Sequence, residues 1–169
     1  MRITRSEMYL DIAKKVAERS TCPRGKVGAV IVTDRGVLVT GYSGAPHGFP
    51  HCEDVGCAVE KFAIDGREVE HCTRTIHAEM NAILFAAKNG VAIKDSWLLC
   101  THAPCQACAK GIINAGIRGV SYVQEYHAHG IMVLLGAELD VYRYSSRGTR
   151  EGYWKLNYDQ TDIEFVVVT

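Results

Sequence analysis

HAEMNAILFAAKNGVAIKDSWLLCTHAPCQACAKGIINAG, running from His77 to Gly116, is the stretch that decides the architecture of this chain. His77 to Asn89 is rich in Ala, Leu, Ile and Met and stops at Asn89-Gly90, which predicts a helix with a glycine exit. Ser96 to Thr101 is a short apolar run and reads as a buried strand. Pro104 suits the first turn of a second helix that closes at Ala115-Gly116.

The same alternation extends outward. Upstream, Ser6 can cap a helix whose apolar positions Tyr9, Ile12, Ala13, Val16 and Ala17 share one face, ending near Ser20. Val27 to Thr33 and Val37 to Tyr42, separated by Asp34-Arg35-Gly36, read as two buried strands of a hairpin. From Ser43 to about Thr75 glycine, proline, histidine and cysteine concentrate without a sustained period. We read a long Cys/His-rich loop that needs a pin, such as a metal. Downstream come a strand at Arg118 to Val123, a helix at Ala128 to Leu135 and a strand at Leu139 to Tyr144. Residues 145–169 end in Phe165-Val166-Val167-Val168, an edge strand or an oligomer contact. The fold class is therefore α/β: a three-layer α/β/α sandwich around a mixed five-stranded sheet. A length of 169 residues fits one domain over residues 1–169.

Nineteen Lys and Arg against nineteen Asp and Glu leave a formal net charge of zero. A chain without a basic field is not expected to bind nucleic acid, and a small molecule is the expected partner. The amino-terminal residues lack a secretory signal's apolar run, and nothing approaches the ~20 apolar residues of a membrane span, so a cytoplasmic protein without a membrane partner is expected. In that reducing compartment seven cysteines, an odd number, point to metal ligation or plain burial rather than to disulfides.

The chemistry concentrates in His77, Cys105 and Cys108. Cysteines at i and i+3 of a helix start share a face, and the helix dipole there favours the thiolates that a metal needs. One imidazole and two thiolates leave the fourth zinc position open, the pattern of a catalytic site. A Cys-x-x-Cys alone would also fit a redox pair or half of a structural zinc site, and a histidine opening a helix is commonly a cap. The two motifs together, 28 residues apart with one strand between them, favour the catalytic reading. Glu79 follows His77 by two residues, so both reach one site only if His77 occupies the irregular first turn; Glu79 is then the proton carrier. His-x-Glu followed by Pro-Cys-x-x-Cys is the signature of zinc-dependent nucleobase deaminases.

Arg74-Thr75-Ile76-His77-Ala78-Glu79-Met80-Asn81-Ala82-Ile83, with Thr21-Cys22-Pro23-Arg24, Val27-Gly28-Ala29-Val30, Gly41-Tyr42-Ser43-Gly44-Ala45-Pro46, His51-Cys52 and Gly56-Cys57, resembles the deoxycytidylate (dCMP) deaminases. The resemblance runs from the first helix to about Tyr126. It implies hydrolysis of dCMP to dUMP and ammonia, feeding thymidylate synthesis, with water attacking C4 and Glu79 moving the protons. It implies substrate contacts at Tyr126 and at Ser43, where the family usually carries Asn. It also implies a second, structural Zn2+, for which Cys22, Cys52, His71 and Cys72 are the candidates and Cys57 an alternative. Finally, it implies a homohexamer, activation by dCTP and inhibition by dTTP, Mg2+ accompanying a nucleotide effector, and Lys88 at the effector site. Other readings are deamination of dCTP, CMP, free cytidine or tRNA adenosine, or a non-catalytic zinc-stabilised nucleotide sensor. Cys100 reads as a core residue, His102 as part of the site's rim, and His127 and His129 as exposed.

Overall fold

Thr4, not Ser6, starts the first helix. Thr4 and Glu7 form a capping box: the Glu7 amide donates to Thr4 Oγ1 at 3.2 Å, and the Thr4 amide donates to Glu7 Oε2 at 2.6 Å. Ser6 has no glutamate three residues on, and falls inside the first turn of α1 (Arg5–Ala17). The computed structural model describes residues 2–64, 67–145, 152–155 and 164–166. The hairpin that follows is present as β1 (Gly28–Val32) and β2 (Leu38–Tyr42), paired from Gly28 with Tyr42 to Val32 with Leu38. β1 is buried from residue 28 to 31, with Val32 half-buried. β2 lies at the sheet edge, with Val39 and Gly41 buried and Leu38 and Thr40 exposed.

The segment expected to be a long loop carries structure of its own. It contains a single helical turn, α2 (Cys52–Val55), and a hairpin of β3 (Val59–Ile64) with β4 (Arg67–Cys72), separate from the main sheet. The hairpin gave no sequence signal because Glu60, Lys61, Phe62, Ala63, Glu68 and Glu70 are all exposed, so burial imposes no period on it. Backbone pairing and a Lys61–Glu68 bridge of 2.8 Å hold its strands together.

The remaining elements are α3 (Ala78–Lys88), β5 (Trp97–His102), α4 (Gln106–Asn114), β6 (Gly119–Gln124), α5 (Ala128–Gly136), β7 (Asp140–Ser145), β8 (Gly152–Lys155) and β9 (Glu164–Val166). The expected mixed five-stranded sheet is present in the order β2-β1-β5-β6-β7, and β8 and β9 extend it to seven strands. β5, β6 and β7 are mutually parallel, whereas the pairings of β1 with β2 and β5, of β7 with β8, and of β8 with β9 are antiparallel. Phe165 thus belongs to the outermost strand; Val167 and Val168 lie outside the described residues.

Alternation along β5 shows how the layers form. Leu98 and Cys100 join Ala82, Ala109, Ile112 and Leu134 of the helices on one face, while Leu99 meets Leu10 of α1 on the other, with Trp97 packed alongside. Two glycines set the helix distances. A Cβ on Gly41 would lie 2.2 Å from the Ala78 carbonyl oxygen, and one on Gly28 would lie 2.1 Å from that of Ala13, so α3 and α1 each approach the hairpin at backbone contact.

Candidate active site

The chain turns from loop to helix twice beside the carboxyl end of β5, and each turn places one metal-ligand candidate. His77 is the extended N-cap of α3 (φ −69°, ψ 154°), and Cys105 is the extended N-cap of α4 (φ −72°, ψ 169°). His77 therefore does sit outside the regular helix, which lets Glu79, in the first turn, share its site. His77 Nδ1 lies 3.4 Å from Cys105 Sγ and 3.5 Å from Cys108 Sγ, and the Cys108 amide donates to Cys105 Sγ at 3.5 Å.

The electrostatics of this cluster fit a shared cation. The hydrogen bond from the Cys108 thiol, followed by that from His77, brings the Cys105 thiol down to about 3. That same hydrogen bond, together with burial and the Glu79 charge, pushes the Cys108 thiol up. Two adjacent thiols cannot both ionise alone; a divalent cation between them removes that conflict. The His77 imidazole is raised, chiefly by its hydrogen bond with Cys105. With one nitrogen and two sulfurs, mutually within 4.8 Å, the donor set suits zinc. Glu79 is 3% exposed, and burial pushes its carboxyl up to about 7.

His77, Glu79 and Cys105 line a cavity of about 370 Å³, whose wall also includes Ser43, His71, His102 and Tyr126. His102 thus lines the site, with its imidazole pKa lowered by burial, while Cys100 is a core residue as expected. Tyr126 stands half-exposed at the rim, where the preceding residue is anchored: Arg143 Nη1 lies 2.8 Å from Glu125 Oε1, and the Tyr122 hydroxyl donates to that carboxylate at 3.4 Å. Ser43 is spent internally. Its hydroxyl donates to the Gly25 carbonyl at 2.9 Å, accepts from the Val27 amide at 3.1 Å and lies 2.7 Å from Ser20 Oγ. It braces the loop between α1 and β1 instead of offering a free hydroxyl to the cavity. Lys88 is exposed in the last turn of α3, outside the cavity lining.

The second Cys/His cluster differs from the expected set. Cys52, Cys57 and Cys72 place their sulfurs within 4.8 Å of one another, and Cys52 Sγ is 3.7 Å from Cys72 Sγ. His71 is not with them, because neighbours on a strand point to opposite faces; its ring meets that of His77 at a centroid distance of 5.6 Å. Cys57 takes its place. Cys22, buried nearby, contributes to raising the Cys57 thiol, after burial, Cys72 and Cys52. Against the cost of burial, hydrogen bonds from Thr75 and the backbone bring the Cys72 thiol down to about 6, as a ligand thiolate requires. Arg24 and Glu70 also line the cavity, and sequence reasoning gave neither a role. A lone arginine between Pro23 and Gly25, two residues from a ligand candidate, was the one available signal.

A Cys/His metal centre at two helix starts, with a buried glutamate inside an α/β/α sandwich, defines the cytidine deaminase-like class of zinc-binding proteins. The family described as "cytidine and deoxycytidylate deaminase zinc-binding region" matches residues 3–124. This chain belongs to that family. It is 44% identical over 128 residues to ComE operon protein 2 of Bacillus subtilis (76% of this chain, 64% of the relative). It is 38% identical over 123 residues to the deoxycytidylate deaminase of Mycobacterium phage D29 (70% of this chain, 94% of the relative). Among solved structures, the dCMP deaminase of cyanophage S-TIM5 in complex with dCMP and dUMP superposes with a TM-score of 0.68 at 34% identity, covering 85% of this chain and 98% of that one. The chain spans 42% and 46% of the longer deoxycytidylate deaminases of Schizosaccharomyces pombe and Saccharomyces cerevisiae.

Proposed function

We propose that this protein hydrolyses dCMP to dUMP and ammonia, supplying dUMP for thymidylate synthesis. The observation that carries the reading is Glu79, buried in the same cavity as His77 and Cys105, since a pure nucleotide sensor has no use for a buried carboxylate beside a metal centre. The phage relatives add weight, being deaminases of this substrate at comparable length.

His77, Cys105 and Cys108 would hold a zinc ion, whose chemistry there would be to make a water nucleophilic at neutral pH. Glu79, brought by burial to about 7, is matched to taking and returning protons at the pH of the cell. Its carboxylate oxygen takes the first proton of the attacking water and passes it to N3 of cytosine, then takes the proton of the hydroxyl added at C4 and delivers it to the amine, so that the C4 carbonyl forms as ammonia leaves. Tyr126 borders the sugar-phosphate end.

The cysteine cluster of Cys52, Cys57 and Cys72, with Cys22 beside it, is a structural zinc site in this reading. Copies of the chain assemble as a hexamer through the outer side of α3, where Leu84 and Phe85 are 50% and 54% exposed near Lys88. dCTP with Mg2+ and dTTP are the effectors to test there. Seven cysteines, none of them in a disulfide, favour the reducing cytoplasm as this protein's compartment. The deciding experiment measures ammonia release from dCMP, dCTP, CMP and deoxycytidine, and the largest kcat/KM is expected for dCMP. A preference for an unphosphorylated nucleoside overturns the assignment.

A further inference from the structure

Gly130 is the third residue of α5, buried at a position where alanine would make the better helix. A Cβ there would lie 1.9 Å from the Pro104 carbonyl oxygen and 2.8 Å from the carbonyl carbons of Pro104 and Cys105, a closer approach than at any other described glycine. We propose that Gly130 is a positioning residue of the metal centre: its missing side chain lets α5 seat on the Pro104–Cys105 peptide, and that seat fixes the ligand Cys105. The proposal rests on the metal-centre part of the deaminase reading and not on the identity of the substrate.

Cys105 needs a support of this kind. As the extended N-cap of α4 it stands outside the regular helix, and its carbonyl is tied forward by the Ala109 amide at 2.9 Å. Behind it the Ala103 amide donates to the Gln124 carbonyl at 2.8 Å, which holds the end of β5 to β6. Pro104, buried between the two, has no N–H with which to anchor itself. The orientation of the peptide from which the Cys105 side chain departs is therefore set by what packs on it. α5 packs on it with backbone, which does not swing aside as a side chain would.

α5 is itself firmly placed. Ile131 and Leu134 are buried with Ala109 and Ile112 of α4 in the main core, so the helix cannot withdraw without opening that core. A non-bonded Cβ stays at least 3.0 Å from its neighbours, so a methyl at position 130 displaces the peptide or the helix by about 1 Å. A misplacement of that size at a reacting centre costs about 10²-fold in rate. The N-cap of α5 is His127, directly after Tyr126, so the element that seats Cys105 also begins at the rim of the cavity.

The competing explanation is that Gly130 serves the fold alone, in which case metal binding falls only as far as stability does. Gly130→Ala is therefore compared, in the full-length chain, with Leu10→Ala, which empties a site packed with Leu99 on the opposite face of the sheet. The probe of the centre is the Co2+–thiolate absorption that disappears in Cys108→Ser. Gly130→Ala is expected to shift that band, to weaken Co2+ binding there by about 10- to 100-fold in chelator competition, and to lower kcat on dCMP with KM little changed. Leu10→Ala lowers the melting temperature at least as far and keeps the band and the affinity of the parent. If Gly130→Ala does not fold, hydrogen exchange in the parent protein decides. By linkage, Zn2+ slows exchange of the amides of residues 132–135 by the factor that the seat adds to metal affinity, about 10-fold, and Cys108→Ser abolishes that protection. A parental band and affinity in folded Gly130→Ala, equal losses in Leu10→Ala, or α5 exchange indifferent to zinc overturns the proposal. A parent protein whose Co2+ spectrum matches that of Cys108→Ser refutes the metal centre itself, and the role of Gly130 falls with it. Absence of turnover on every cytosine substrate refutes the deaminase reading alone, because the band and the exchange require no substrate.

Discussion

Glu79 combines burial with a charge-handling task, and its effects on activity and on stability can be separated. Glu79→Gln removes the proton carrier but keeps the shape, so kcat is expected to fall by about 10²- to 10⁴-fold while zinc content and dUMP binding persist. Steady-state assay with metal analysis of the same sample checks this, and a variant as active as the parent contradicts the proposed role. The stability effect has the opposite sign. In the metal-free protein the folded carboxyl titrates near 7 against about 4.5 when unfolded, so folding is unhindered below 4.5 and is progressively penalised as pH rises to 7. The full penalty, roughly 3 kcal/mol, is present at pH 8. Urea denaturation in chelator should find Glu79→Gln more stable than the parent at pH 8 and nearly equal to it at pH 4.5. Most of this site was legible residue by residue: His77, Glu79, Cys105 and Cys108 are close in sequence to two helix starts, and local rules fix where such side chains point. Ser43 was not legible, because whether its hydroxyl is free depends on Ser20, Gly25 and Val27, which only the fold brings against it.

The helices α1, α3, α4 and α5 were read to within a few residues because each carries its own signals, whereas the single turn α2 was not. Thr4 shows the limit of that reading: the sequence suggests Ser6 as the cap, and the reciprocal bond with Glu7 puts it two residues earlier. Thr4→Ala is expected to cost about 1 kcal/mol in thermal or urea unfolding, whereas Ser6→Ala costs much less. The packing of helix on strand is less forgiving. Gly41→Ala places a methyl against the backbone of Ala78 and Ala82, which cannot yield as a side chain would, so a loss of at least 1–3 kcal/mol and a displaced α3 are expected. Because α3 begins at His77, the same variant should also weaken zinc retention in a chelator-competition assay. The β3–β4 hairpin was illegible for a different reason: with both faces largely in water, its sequence answers to solubility and not to a buried period.

On the scale of the molecule, that hairpin poses a stability question. A lone two-stranded hairpin is marginal in water, and this one is joined to the rest through Cys52, Cys57 and Cys72, Arg24 with Glu70, and His71 against His77. If the cysteines hold a structural metal, purified protein contains about two zinc ions per chain, and Cys57→Ser lowers this to about one while reducing the melting temperature. Zinc content unchanged in Cys57→Ser contradicts a ligand role for that residue. The hairpin then becomes a wall of the cavity fixed by metal, carrying Glu70 and His71 to the pocket from the strand that also supplies Cys72.

The sequence by itself determined the α/β/α order, the mixed sheet and the cluster of His77 with Cys105 and Cys108, because periodicity, caps and the 28-residue spacing of two helix-start motifs are local properties of the chain. Only the tertiary structure decided that His71 faces the cavity and Cys57 joins the cysteines, that Ser43 is a brace, and that Arg24 meets Glu70. Each of those outcomes depends on which face of a strand or loop turns toward an element far away in sequence, and no local rule carries that information.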